Sequence, residues 1–83
     1  MDKSNLEAIR EAVHRIIPNS LLSEISDDAE LQADLGIDSI MMVELLIELE
    51  EQFNFEFDDM DLLMDNFLSV STICSFLESK YLK

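Results

Sequence analysis

LGIDSIMMVELLIELEEQF, residues Leu35 to Phe53, carries the pattern that decides the fold. Advancing about 100° per residue from Ser39, Met42, Leu45, Leu46, Leu49 and Phe53 gather in one sector. They form the buried stripe of a helix that begins at Asp38 or Ser39 and runs to about Phe53. A second apolar set, Ile40, Val43 and Ile47, lies elsewhere on the helix, with Met41 beyond its far edge. That set shares its side with Glu44, Glu48 and Glu51. A helix buried on one side needs only the first stripe. The second either packs under a neighbouring helix or docks a partner, and the interleaved carboxylates beside Ser39 favour docking.

Working outward, Leu6, Ile9, Val13 and Ile16 recur at helical spacing behind Ser4 and Glu7, which have capping-box spacing. This predicts a first helix over about 5–17, capped by Ser4 and stopped by Pro18. The long link that follows mixes Ser, Asn and Asp with isolated apolar residues. Leu21, Leu22, Ile25, Leu31, Leu35 and Ile37 are expected to pin it to the core. A short helical piece is expected over Asp59–Asn66, capped by Asp58 or Asp59. A last helix follows, capped by Ser69 and carrying Val70, Ile73, Leu77 and Tyr81. The whole chain, 1–83, reads as one all-α domain: a small up-and-down bundle of three principal helices plus one short helix. Its core should join Met42, Leu46, Leu49 and Phe53 to Leu6, Ile9, Val13, Ile73 and Leu77.

One Gly and one Pro in 83 residues leave little turn chemistry for a β fold. The charge is one-sided, with 19 Asp and Glu against 5 Lys and Arg and a net charge of −14. From Ile16 to Ser79 there is no Lys or Arg, while 16 carboxylates fall in that stretch. Such a surface repels phosphate backbones and anionic membranes, so neither nucleic acid nor membrane is an expected partner. It attracts proteins with basic patches. Mutual repulsion should also raise the carboxylate pKa values on balance, so mild acid is expected to stabilise the fold. Cys74 is alone, which excludes a disulfide framework and a Cys-based metal site and makes it a small core residue. No secretory signal or membrane span is visible, and the expected location is cytoplasmic.

At the helix mouth, Asp38 and Ser39 are both good N-caps, and only one is needed. With Asp38 capping, the Ser39 hydroxyl stands at the first helical position and faces solvent. A phosphate ester there would sit at the positive end of the helix dipole, and Gly36 lets the chain turn sharply just upstream.

The segment LGIDSIMMVELLIELEEQF resembles the modification site of acyl carrier proteins, whose hallmark is Gly-x-Asp-Ser-hydrophobic at the start of the second helix. The resemblance extends over nearly the whole chain, through EEQFNFEFDD and FLSVSTICSFLES. It implies that Ser39 receives 4′-phosphopantetheine from coenzyme A through a phosphopantetheinyl transferase, which Asp38 helps to position together with its metal. It implies further that Ile40, Met41, Val43, Glu44, Ile47, Glu48 and Glu51 meet partner enzymes that load, condense and tailor the cargo. The expected chain is a monomeric carrier of thioesters and not an enzyme. Ile40 after the Ser, the Met41-Met42 pair and the aromatic NFEFDD make the strip greasier than in fatty-acid carriers. This favours polyketide, aminoacyl or nonribosomal-peptide chemistry over housekeeping fatty-acid synthesis, which stays the alternative.

Two other classes fit less well, and a third fits without Ser39 chemistry. GIDSI is not Gly-x-Ser-x-Gly, and His14, the only candidate base, lies in the first helix, so no catalytic residue is assigned. Asp58, Asp59, Asp61 and Asp65 cluster, but the loop lacks the Gly of a calcium-binding EF-hand, and Val70 stands where its Glu belongs, so no metal site is assigned. An unmodified acidic helical adaptor would use the same face.

Overall fold

Asp2, not Ser4, opens the first helix. In the computed structural model, which describes residues 2–17, 25–58, 60, 62 and 64–81, α1 spans Lys3–Ile16 and the Asp2 side chain accepts the Ser4 N–H at 2.8 Å. Ser4 therefore sits inside the first turn, and the expected capping box is displaced by an Asp two residues earlier. His14 and Arg15 fall in the last turn, where cations complement the helix dipole. Pro18, the expected stop, lies outside the described residues, as do Leu21 and Leu22.

Helix α2 spans Ser39–Phe53 and α3 spans Val70–Lys80. Ser69 caps α3 as its spacing predicts, accepting the Thr72 N–H at 3.2 Å. Where a short helix is expected over 59–66, Met60 and Met64–Phe67 are in 3-10 conformation, the latter running one residue past the expected end. Asp58 caps only a local turn, accepting the Met60 N–H, and Asp59 lies outside the described residues. No strand occurs among the described residues.

Helix α1 packs against both α2 and α3, and the core closes around Ile9, Ala12, Val13, Leu45, Leu49, Ile73, Cys74 and Leu77, all fully buried. Met42 is buried with them, whereas Leu46, Phe53 and Leu6 are half-buried at the edge. The core sector of α2 is therefore centred on Leu45, Leu49 and Met42, not on Leu46. Periodicity finds the stripe; the neighbours decide which of its edges they cover.

The link is held where the sequence placed its apolar residues. Ile25, Leu31 and Ile37 are buried and Leu35 packs on the core. Polar ties finish the job: Arg10 of α1 pairs with Asp27, the Ser71 N–H donates to the Asp27 carbonyl at 2.9 Å, and the Leu31 N–H donates to the Leu68 carbonyl at 2.9 Å. Below α2, Phe55, Phe57, Phe67, Phe76 and Tyr81 form a continuous set of ring contacts around the buried Phe67. The Asp58 N–H donates to the Tyr81 hydroxyl at 2.9 Å, fastening the segment after α2 to the end of α3.

The N-terminus is tied to α3 by Glu78. Its carboxylate accepts from the Asn5 side chain at 2.9 Å and from the Asp2 N–H at 2.7 Å. These bonds, the Asn5 one foremost, hold its pKa below the usual carboxylate value. Glu78 thus runs against the general expectation of raised carboxylates. A depressed folded pKa contributes stability above the unfolded value, and that contribution is lost as pH falls through the folded one. We expect Glu78→Gln to loosen the first turn of α1 at neutral pH, with the difference from the parent vanishing in acid. Amide exchange of Leu6 across that pH range measures it.

Candidate functional site

Segment Glu30–Ser39 builds the mouth of α2. The Asp34 and Leu35 N–H groups both donate to the Glu30 carbonyl, at 2.8 and 3.2 Å, and the Asp34 carboxylate accepts the Glu30 N–H at 2.8 Å. The Ile37 N–H returns to the Leu31 carbonyl at 3.0 Å, so two buried side chains anchor either end of the turn. Between them Gly36 adopts φ +71°, in the left-handed region, and a Cβ there would meet open space. The glycine is needed for its backbone angle and not for room. Gly36→Ala should therefore cost about 1 kcal/mol without distorting the neighbours, read as a shifted urea midpoint at constant m.

Asp38 is the cap. Its Oδ1 accepts the Met41 N–H at 2.8 Å from an extended backbone, and its carbonyl takes the Met42 N–H at 2.9 Å. That settles which of the two candidates does this work. Ser39 is the first helical residue, exposed, and its hydroxyl has no hydrogen bond to any described residue. It stands at the positive end of the α2 dipole, where the first amides have no partner inside the helix. Such a place fits a phosphate ester.

From Ser39 the second stripe runs down the solvent side. Ile40, Val43 and Ile47 are 71%, 56% and 50% exposed, with Glu44 and Glu51 exposed beside them. No helix among the described residues covers them. Met41 and Glu48 are placed differently. Met41 is half-buried against the core, and the Glu48 carboxylate accepts from the Arg15 guanidinium at 3.2 Å, which also reaches Gln52 at 3.0 Å. Both lie at the edge of the strip toward α1. The sequence could not show the Arg15 contact, which joins residues 33 apart. It also missed a cleft at the far end of α2, although Asn54 directly after a long helix is a recognisable left-handed cap.

Cys74 is fully buried, and burial, reinforced by the neighbouring Glu78 carboxylate, pushes its thiol pKa up to about 11. It is un-ionised at neutral pH and unreactive. His14 is half-buried on α1, and no three His, Cys, Asp or Glu residues gather to hold a metal among the described residues. No helix among those residues is long and apolar enough to cross a membrane.

Residues 7–77 match the family model described as the phosphopantetheine attachment site. The chain belongs to the acyl carrier protein family. It is 36% identical over 58 residues to the acyl carrier protein of Thermotoga maritima, covering 70% of this chain and 69% of that one. It is 34% identical over 76 residues to that of Solidesulfovibrio magneticus, covering 88% and 95%. The solution structure of a holo acyl carrier protein from Nitrosomonas europaea shares the fold, with a TM-score of 0.81 at 23% identity over 95% of this chain and 98% of that one. The cofactor of this carrier is covalently attached 4′-phosphopantetheine, and its interactions are those of the family: a phosphopantetheinyl transferase and acyl-processing enzymes.

Proposed function

We propose that Ser39 bears the phosphopantetheine and that the carrier serves a specialised pathway handling polyketide, aminoacyl or peptidyl intermediates. The observation behind the attachment site is the division of labour at the helix mouth: Asp38 caps, and the Ser39 hydroxyl is left exposed, without a hydrogen bond to any described residue. Loading forms a bond from Ser39 Oγ to phosphorus and releases adenosine 3′,5′-bisphosphate from coenzyme A. When bound, the arm supplies a terminal thiol that holds cargo as a thioester. The protein's own part is to present the arm and the partner surface.

That surface is Ile40, Val43, Glu44, Ile47 and Glu51, with Asp38 at its head and Met41 and Glu48 along its edge. Exposed aliphatic side chains inside a carboxylate rim suit a transient partner that brings its own basic residues. The pathway reading rests on the greasy character of the strip and on the aromatic segment after α2.

Two measurements test attachment together. Intact mass should rise by one phosphopantetheine on exposure to coenzyme A and a transferase. Thiol titration of the native protein should then find one fast-reacting thiol, against none before loading, because Cys74 is buried and protonated. Glu44→Lys should keep the fold and slow loading about tenfold at low salt, with the deficit shrinking as salt screens the surface. A normal loading rate in that variant would move the docking face elsewhere.

A further inference from the structure

The end of α2 and the segment after it enclose a surface cleft of about 420 Å³, lined by Ile47, Glu50, Glu51, Asn54, Phe55 and Glu56. Its shape is fixed from beneath. Asn54 closes the helix in the left-handed conformation, at φ 57°, and turns the chain back so that the Phe55 N–H meets the Glu50 carbonyl at 3.1 Å. The Glu50 carboxylate accepts the Phe57 N–H at 2.8 Å, and the Phe55 ring lies 4.7 Å from both Phe57 and Tyr81, centre to centre. Ile47 belongs both to this cleft and to the exposed strip that starts beside Ser39, so the two surfaces are continuous.

The spacing matches a tethered occupant. Along the helix, Ser39 is about 12 Å from Ile47 at the near rim of the cleft and about 22 Å from Asn54 at its far rim, the stretch that the arm and its cargo span together. A phosphopantetheine arm, on the order of thirteen bonds from phosphorus to sulfur, reaches about 15 Å when extended. Resting on Ser39 as the attachment point, we infer that this cleft holds the group carried on the arm and selects an aminoacyl group with an apolar side chain. Ile47 and Phe55 offer the apolar wall. Glu51 and Glu56 offer carboxylates beside Glu50, which accepts the Phe57 N–H, and no ion pair reaches these three among the described residues. An α-ammonium complements that charge. A plain acyl group meets only the wall, and a carboxylated one is repelled.

The test uses the whole chain loaded by a transferase from two coenzyme A analogues with an amide in place of the thioester. One carries leucyl, the other 4-methylpentanoyl, the same skeleton without the amine. Intact mass is read first. Amide ¹H–¹⁵N shifts are then compared with those of the unacylated holo protein. The leucyl group should move Ile47, Asn54, Phe55 and Glu56, and the desamino group should leave them near their holo positions. Glu56→Gln should reduce the leucyl shifts, as should added salt. Equal shifts from both cargoes overturn the selection of an ammonium. Shifts confined to Ser39 and Ile40, or appearing instead at core residues such as Leu49 and Phe67, overturn the cleft as the resting place while leaving attachment intact. A chain that gains no mass overturns the attachment reading and this one with it.

Discussion

Ser39→Ala should abolish phosphopantetheine loading and leave the bundle as stable as the parent. The expected mass gain after coenzyme A and transferase is zero, and so is the expected number of fast-reacting thiols. Stability should change by less than about 0.5 kcal/mol, because the site is exposed and its side chain makes no bond that folding depends on. The cap belongs to Asp38, whose carboxylate still receives the Met41 N–H, and Ala is a good helix former. Asp38→Ala makes the complementary case. It removes the cap at a cost of about 1 kcal/mol and keeps the hydroxyl, so it separates helix stability from the nucleophile. A Ser39→Ala protein that still gains the mass would place attachment on another hydroxyl and overturn the proposed site.

That Asp38 can cap and leave Ser39 at the first helical position is legible in the sequence, because two adjacent residues compete for one local role. The same holds for the bounds of α2 and for the start of α3: each has a strong cap and an apolar stripe of helical period, whereas Tyr81, expected on α3, stands just past its end as the C-cap. What the sequence concealed is non-local. Asp2 displaced Ser4 because both can cap, and the choice depends partly on Glu78, which holds the Asp2 amide from the far end of the chain. Glu48 looked like its neighbours Glu44 and Glu51 on a helical wheel. Only the approach of α1 sets Arg15 against it. Cys74 was readable as core because a lone apolar-flanked thiol has few other uses. The cleft beside Phe55 was not readable, since it arises from a chain reversal whose direction is set by aromatic contacts with α3.

The largest effect on stability should come from Leu49→Ala, and its comparison with two neighbours on α2 tests the phasing of the helix. Leu49 is fully buried among residues of α1 and α3, so truncation removes its apolar contacts and leaves a cavity the surrounding side chains fill only in part. The expected cost is about 2–5 kcal/mol. For a chain of 83 residues the total stability is roughly 4–12 kcal/mol, so this one change approaches the limit of folding. The melting temperature should fall by about 10–30 °C. Leu46→Ala, the position that periodicity alone would rank equally, should cost distinctly less, because that side chain is only partly buried at the edge of the core. Ile47→Ala should cost less than about 1 kcal/mol, since it lies on the exposed strip at 50% accessibility. Urea unfolding followed by circular dichroism gives all three values on one scale. The order Leu49, Leu46, Ile47 is what the burial requires. A loss at Ile47 as large as that at Leu49 would mean the second stripe is covered in solution, and the surface assigned to partners would then be part of the core.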